Sequence, residues 1–79
     1  MKIIAKPLMH AEEIRALHAL IAERKPRRVL EWGGGGSTLY WPDHYPAIDW
    51  VTIESEPEWY AALKARVRES VTLLHLTPP

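Results

Sequence analysis

Two carboxylates and a run of four glycines are the residues of this chain whose types and spacing suggest chemistry. Glu31-Trp32-Gly33-Gly34-Gly35-Gly36-Ser37-Thr38 follows an apolar stretch, and Glu54 closes the next apolar stretch. A glycine run neither continues a strand nor sustains a helix, because glycine loses the most backbone entropy there. It can form a tight turn that a ligand approaches closely, with backbone N–H groups facing outward at a strand's carboxyl end. A carboxylate at Glu31 favours a cationic ammonium group nearby, and Gly33 can present a backbone carbonyl to the same group. A carboxylate at Glu54 can accept hydrogen bonds from both hydroxyls of a ribose. Each acid also has a plainer reading. Glu31 can cap local N–H groups at a strand end, and Glu54, Glu56 and Glu58 can complement the dipole of a following helix.

Three ligand classes compete for the turn. A P-loop needs Gly-Lys-Ser/Thr, which is absent. A dinucleotide fingerprint needs G-x-G-x-x-G. Gly33 and Gly35 fit it, but Thr38 stands at the third glycine position, and Pro42 cuts short the helix whose N-terminus would hold a pyrophosphate. The third class is a nucleoside bearing a cation. S-adenosyl-L-methionine carries an ammonium and a sulfonium and no pyrophosphate, so an acidic residue ahead of the glycines suits it better than NAD.

These residues need elements that bring them together. Residues 9–24 have the spacing of an amphipathic helix, with Ile14, Leu17, Leu20 and Ile21 on one side. Glu12 and Glu13 open it, Arg24 and Lys25 close it, and Pro26 stops it. Residues 27–32 are expected to form a buried strand. Ser37 or Thr38 is expected to cap a helix of one or two turns, limited by Pro42 and Pro46. Residues 49–54 are a second strand. Ser55 and Glu58 have capping-box spacing around Pro57, with a helix expected to about Glu69 on a Trp59, Leu63, Val67 face. Residues 71–76 are a third strand. Strands alternating with helices imply an α/β fold with parallel pairing through right-handed crossovers.

Composition narrows the function classes. Ten Lys and Arg balance ten Asp and Glu, and there is no cysteine. Zero net charge argues against a dedicated nucleic-acid binder. Without cysteine there is no disulfide framework and no Cys-based zinc site. No apolar run approaches the ~18 residues that span a bilayer, and the N-terminus lacks signal-peptide character. The expectation is a cytoplasmic protein. A chain of this size buries only ~60% of its unfolded surface, so its core is marginal.

Val29-Leu30-Glu31-Trp32-Gly33-Gly34-Gly35-Gly36-Ser37-Thr38, followed by Val51-Thr52-Ile53-Glu54-Ser55-Glu56-Pro57-Glu58-Trp59, resembles the class I S-adenosylmethionine-dependent methyltransferases. The likeness is greatest to the branch whose first motif reads E-x-G-x-G-G-S-T. It implies a Rossmann-like three-layer fold with a partial parallel sheet of about three strands, order 3-2-1, and flanking helices. It further implies that residues 1–79 are one partial cofactor-binding domain. Glu31 and Gly33 match the region that holds the methionine moiety, and Gly35 the turn beneath the cofactor. Glu54 matches the ribose carboxylate and Ser55 the position flanking the adenine. Trp32, Gly34, Ser37 and Thr38 complete the motif.

The resemblance covers nearly all of this chain but less than half of the family's domain. The later segments that supply acceptor specificity and any general base have no counterpart here. No catalytic residue is therefore expected, and the methyl acceptor is not legible. The expectation is a fragment that holds cofactor but is inactive by itself. Two alternatives remain: a non-catalytic module that pairs with a second copy or another chain through the edge of strand 28–32, and an NAD-type dinucleotide-binding half.

Overall fold

Alternating strand and helix signals resolve into six elements in a computed structural model that describes residues 2–77. They are α1 (Ala11–Arg24), β1 (Arg28–Trp32), α2 (Gly36–His44), β2 (Asp49–Glu54), α3 (Pro57–Lys64) and β3 (Val71–His75). The strands form one open parallel sheet in the order β1-β2-β3. Val29 lies opposite Trp50, and Trp50 opposite Val71. The fold is α/β with flanking helices, and the strand order is the expected 3-2-1 read from the other edge.

The core lies on one face of this sheet. Side chains alternate along a strand, so the register puts Val29, Glu31, Trp50, Thr52, Glu54, Val71 and Leu73 on a common face. That face meets the helices in two clusters. Ile21 of α1 and Trp41 of α2 pack with Ile48, Trp50 and Val71, while Leu39 of α2 and Leu63 of α3 pack with Ile3 and Leu73. The other face carries Leu30, Trp32 and Leu74, all exposed, beside half-buried Val51 and Ile53. The described residues thus supply two packed layers, the sheet and one layer of helices. β1 is covered on one side only.

Several element ends differ from expectation. α1 starts at Ala11 because His10 is extended (φ −69°, ψ 152°) and gives its N–H to Glu13 Oε1 at 3.0 Å. At its other end Lys25 turns left-handed (φ 49°) and bonds the Ile21 carbonyl, so the chain has left the helix before Pro26. α2 is capped by Gly35 rather than by Ser37 or Thr38, and it runs through Pro42 to His44. Pro42 removes one helical hydrogen bond. The helix survives because Trp41 and Pro42 are both buried and the Tyr45 N–H still reaches the Trp41 carbonyl at 2.9 Å. α3 ends at Lys64, well short of Glu69. The Leu63 carbonyl accepts from both Arg66 and Val67 N–H at 2.9 Å, a shared bond that closes the last turn. Val67 still packs on the core from the loop that follows. The expected Ser55–Glu58 box does not form. Glu56 is the N-cap, Pro57 takes the first turn, and Ser55 is exposed.

Residues before α1 fold over the start of α2. Ile3 is buried against Leu39 and Leu63, and its carbonyl accepts from Arg66 Nη1. The carbonyls of Ile4 and Lys6 lie where a side chain on Gly36 would stand.

A core confined to one face predicts unequal costs for similar truncations. Leu63, with no exposed surface, should lose about 2–5 kcal/mol on Leu63→Ala. Leu74→Ala on the open face should stay within about 0.5 kcal/mol. Urea midpoints of the two variants measure the difference, and equal losses would refute the one-sided core.

Candidate functional site

The glycine turn is built from the carboxyl ends of β1 and β2. β1 ends as the Gly33 N–H bonds the Ile53 carbonyl at 2.8 Å, and Gly33 then adopts φ +80°, a left-handed angle that favours glycine. Gly34 must lack a side chain for another reason: a Cβ there would strike the Leu63 side chain and crowd Thr52. Gly36 is excluded from carrying one by the Ile4 and Lys6 carbonyls. Gly35 is different. Its φ of 174° is ordinary extended backbone, and nothing lies within 4 Å of where its Cβ would be. Three glycines therefore serve the fold, while Gly35 borders open space.

Both carboxylates hold this turn. Glu31 Oε1 accepts from Thr38 Oγ1 at 2.5 Å, Thr52 Oγ1 at 2.9 Å and, more weakly, Trp50 Nε1 at 3.3 Å. All three bonds go to one oxygen. Thr38 and Thr52 are fully buried, so their hydroxyls would be costly to leave unpaired. Thr38 Oγ1 also accepts the Gly35 N–H at 3.1 Å, the reaching-back half of a capping box at the start of α2. Glu54, 7% exposed, accepts the Gly34 N–H at 2.8 Å through Oε1 and the Glu56 N–H at 2.7 Å through Oε2. It joins the two turns at the sheet's carboxyl end. This also explains why Ser55 does not cap α3, since the Glu54 carboxylate already orders the entry to that helix.

Glu31, Gly33, Gly34, Gly35, Gly36 and Ser37 line a cleft of about 180 Å³ with Leu8 opposite. This is smaller than the roughly 300–1,000 Å³ of pockets that enclose a whole ligand, so it accommodates one end of a nucleoside-sized molecule. The N–H groups of Gly33, Gly34 and Gly35 are spent inside the protein. The donors not spent in this way are those of Gly36 and Ser37, in the first turn of α2. A larger groove of about 480 Å³ lies between the N-terminal segment and α1, lined by residues from Ile4 to Glu13. It shares Leu8 with the cleft, and its carboxylate is Glu13, which accepts from the His10 N–H, rather than Glu31 and the glycine turn.

The expected site residues divide into three groups. Glu31, Gly33, Gly34, Gly35 and Ser37 come together at the cleft. Thr38 lies buried beneath it, and Glu54 supports it from β2. Trp32 and Ser55 do not line it. Trp32 is 71% exposed on the open sheet face, because alternation turns it away from Glu31. The Ser55 carbonyl accepts from His75 Nε2 at 3.3 Å, and His75 stacks on Tyr60. Leu8 and the support from Thr52 were not foreseen. Thr52 had a signal, since it stands opposite Glu31 in a parallel register. Leu8 had none. Tyr40, His44 and Tyr45 stand apart from the cleft. Tyr40 and Tyr45 hydroxyls bind the two ring nitrogens of His18 at 2.9 and 2.6 Å, and His44 stacks on Tyr40, which ties α2 to α1.

The hydroxyl of Thr38 carries two bonds, so Thr38→Val should cost about 1–3 kcal/mol and raise amide exchange at Gly35. Thr38→Ser, which keeps the hydroxyl, should restore most of that protection. Equal exchange rates in the two variants would show that the hydroxyl does not hold the turn.

Compared with known proteins, the chain matches no family model, no curated protein and no solved structure.

Proposed function

We propose that the cleft binds the methionine end of S-adenosyl-L-methionine, and that the chain is the cofactor-binding part of a class I methyltransferase. The observation that carries this reading is a carboxylate at the wall of the cleft with one oxygen not engaged inside the protein. Glu31 lines the cleft, and its hydrogen bonds inside the protein all go to Oε1. Oε2 is left to accept from an ammonium group. Gly33, Gly34 and Gly35 give their N–H groups to the protein, so a pyrophosphate would have only the Gly36 and Ser37 donors at the start of α2, in a cleft shared with the Glu31 carboxylate. Such a cofactor would supply a methyl group on sulfonium for in-line displacement by a nucleophile.

The chain's own residues bind and orient. Gly35, with open space at its Cβ position, lets the ligand lie against the backbone. Glu54 sits at the next strand end, where ribose hydroxyls would fall if the methionine end lay in the cleft. Its two backbone bonds fix its orientation while a carboxylate retains further lone pairs. Rigid placement is the main contribution a protein makes to displacement of this kind. No helix of the described residues is long and apolar enough to cross a membrane. A cytoplasmic location is part of this proposal, and the methyl acceptor is left open.

Calorimetry of the full chain with S-adenosylhomocysteine and with NAD tests the reading. Saturable binding of the first and none of the second is expected. Gly35→Asn should keep the fold, because Asn suits an N-cap and meets no atom at Cβ. The same change should weaken binding by roughly tenfold or more, equivalent to about 1.4 kcal/mol. Binding of NAD alone, or a Gly35→Asn chain that binds normally, would overturn the proposal.

A further inference from the structure

The outer wall of the cleft comes from a segment with no helix or strand of its own. Leu8 stands across from Glu31 and the glycines, yet it is 104% exposed, so the fold gives its side chain nothing to pack on. Its neighbours are held. Pro7 is buried, and Met9 is half-buried against the cluster of Ile21 and Trp41. At the other end of the segment Ile3 is 4% exposed and packs with Leu39 and Leu63. Between these anchors the Lys6 N–H bonds the Ile4 carbonyl at 2.7 Å, a three-residue turn. The carbonyls of Ile4 and Lys6 lie over Gly36. Residues 3–8 thus form a strap drawn across the start of α2, with Leu8 projecting from it.

A strap without a ladder of hydrogen bonds opens at low cost unless something fastens it. The fastening comes from the end of α3. Leu63 receives Ile3 in a common cluster, and Arg66 Nη1 donates to the Ile3 carbonyl. A bond from a guanidinium is roughly twice as strong as a neutral one. Among the described residues the ion pairs are Arg28 with Asp49 and Arg68 with Asp43, so no carboxylate competes for Arg66. Leu63 also lies against Gly34, where a Cβ would strike it. One end of α3 therefore touches both walls of the cleft, the glycine turn through Leu63 and the strap through Leu63 and Arg66.

We propose that Arg66 is a positioning residue for the cleft: by holding the Ile3 carbonyl it fixes the strap, and so sets Leu8 as the apolar wall that a ligand beside Glu31 packs against. The ligand's part in this rests on the reading of the cleft as a site for the methionine end of S-adenosyl-L-methionine, whereas the placing of Leu8 does not. Arg66 itself touches no ligand. Leu8 gains burial only when a ligand arrives, so its apolar surface contributes to binding rather than to folding. An apolar wall across from Glu31 also keeps water from the carboxylate, which strengthens its attraction for a cation. A loose strap would have to be ordered at the moment of binding, and that ordering would subtract from affinity.

Arg66→Met removes the donor and keeps the stem, Arg66→Lys keeps a charged donor, and Leu8→Ala removes the wall. Both side chains are exposed, so each variant should keep its fold by circular dichroism. In the ligand-free chain Arg66→Met should raise amide exchange at Lys6 roughly tenfold or more. The backbone order parameter at Leu8 should fall from about 0.85 to below about 0.6. Arg66→Lys should restore much of both. In calorimetry with S-adenosylhomocysteine, Arg66→Met and Leu8→Ala should each weaken binding by roughly fivefold to tenfold. The double variant should bind no more weakly than the weaker single one, because both losses pass through one wall. An unchanged strap in Arg66→Met, an affinity indifferent to Leu8→Ala, or losses that multiply in the double variant would each overturn the proposal. So would an Arg66→Met chain that loses its fold, since Arg66 would then be structural. If the wild-type chain binds no S-adenosylhomocysteine, the reading of the cleft falls, and the ligand-free measurements decide whether Arg66 positions Leu8.

Discussion

Oxygen Oε1 of Glu31 is the point on which the carboxyl end of the sheet depends. It stands on β1 and accepts from Thr52 on β2 and Thr38 on α2, so one atom fixes a strand, its neighbour and the helix between them. Those hydroxyls are buried, and a buried donor without an acceptor costs the fold its full desolvation penalty. The constraint is thus negative as well as positive: the strand ends cannot separate without stranding two hydroxyls. Thr38 passes the constraint on to the Gly35 N–H. Glu54 applies a parallel one, holding Gly34 and Glu56. Between them the two acids hold the turn over the buried Leu63 side chain that Gly34 lies against.

The rest of the molecule shows why such fastening matters. Its core occupies a single face of the sheet, and a domain this small has little surplus burial from which to draw stability. Apolar clusters fix the helices against the central strand through Trp50 and against β3 through Val71 and Leu73. At β1 the covered face offers only Val29 and Glu31, while Leu30 and Trp32 lie on the exposed side. β1 is therefore held less by burial than by its ladder to β2 and by the Glu31 bonds. The element carrying the glycine turn is also the one with the least apolar support.

Much of this was legible in the sequence, for identifiable reasons. The alternation of strand and helix follows from apolar periodicity and from Pro26 and Pro57, and β2 has the bounds its apolar run suggests. Glycine at position 33 is legible as a turn, and the structure gives the reason in its positive φ. What was not legible depends on tertiary partners. Pro42 reads as a helix stop, yet burial beside Trp41 carries α2 past it. Ser55 and Glu58 have the right spacing for a box, but the helix starts one residue later, with Glu56 as its N-cap and the Glu56 N–H held by Glu54. Trp32 is a lesson of another kind. Strict alternation from Glu31 already assigns it to the opposite face, so its absence from the cleft follows from the pleat alone.

The plainer reading of the two acids, as caps for local N–H groups, and the ligand reading are often set against each other. At this site they are not exclusive. A carboxylate has about four lone-pair directions. The bonds to Glu31 gather on one oxygen, and each oxygen of Glu54 holds one backbone N–H. A side chain already fixed by internal bonds loses little further entropy when a ligand arrives, which is the physical content of preorganisation. A freely rotating glutamate at the same position would bind an ammonium group less well. The reason is that it must first be ordered, at a cost of up to about 2 kcal/mol in rotamer freedom. The same geometry also limits the ligand. Donors consumed by Ile53, Glu54 and Thr38 leave fewer N–H groups to face an anion, whereas an acceptor oxygen at the cleft is compatible with a cation. The internal bonds that hold the turn are thus the same ones that bias what it can bind.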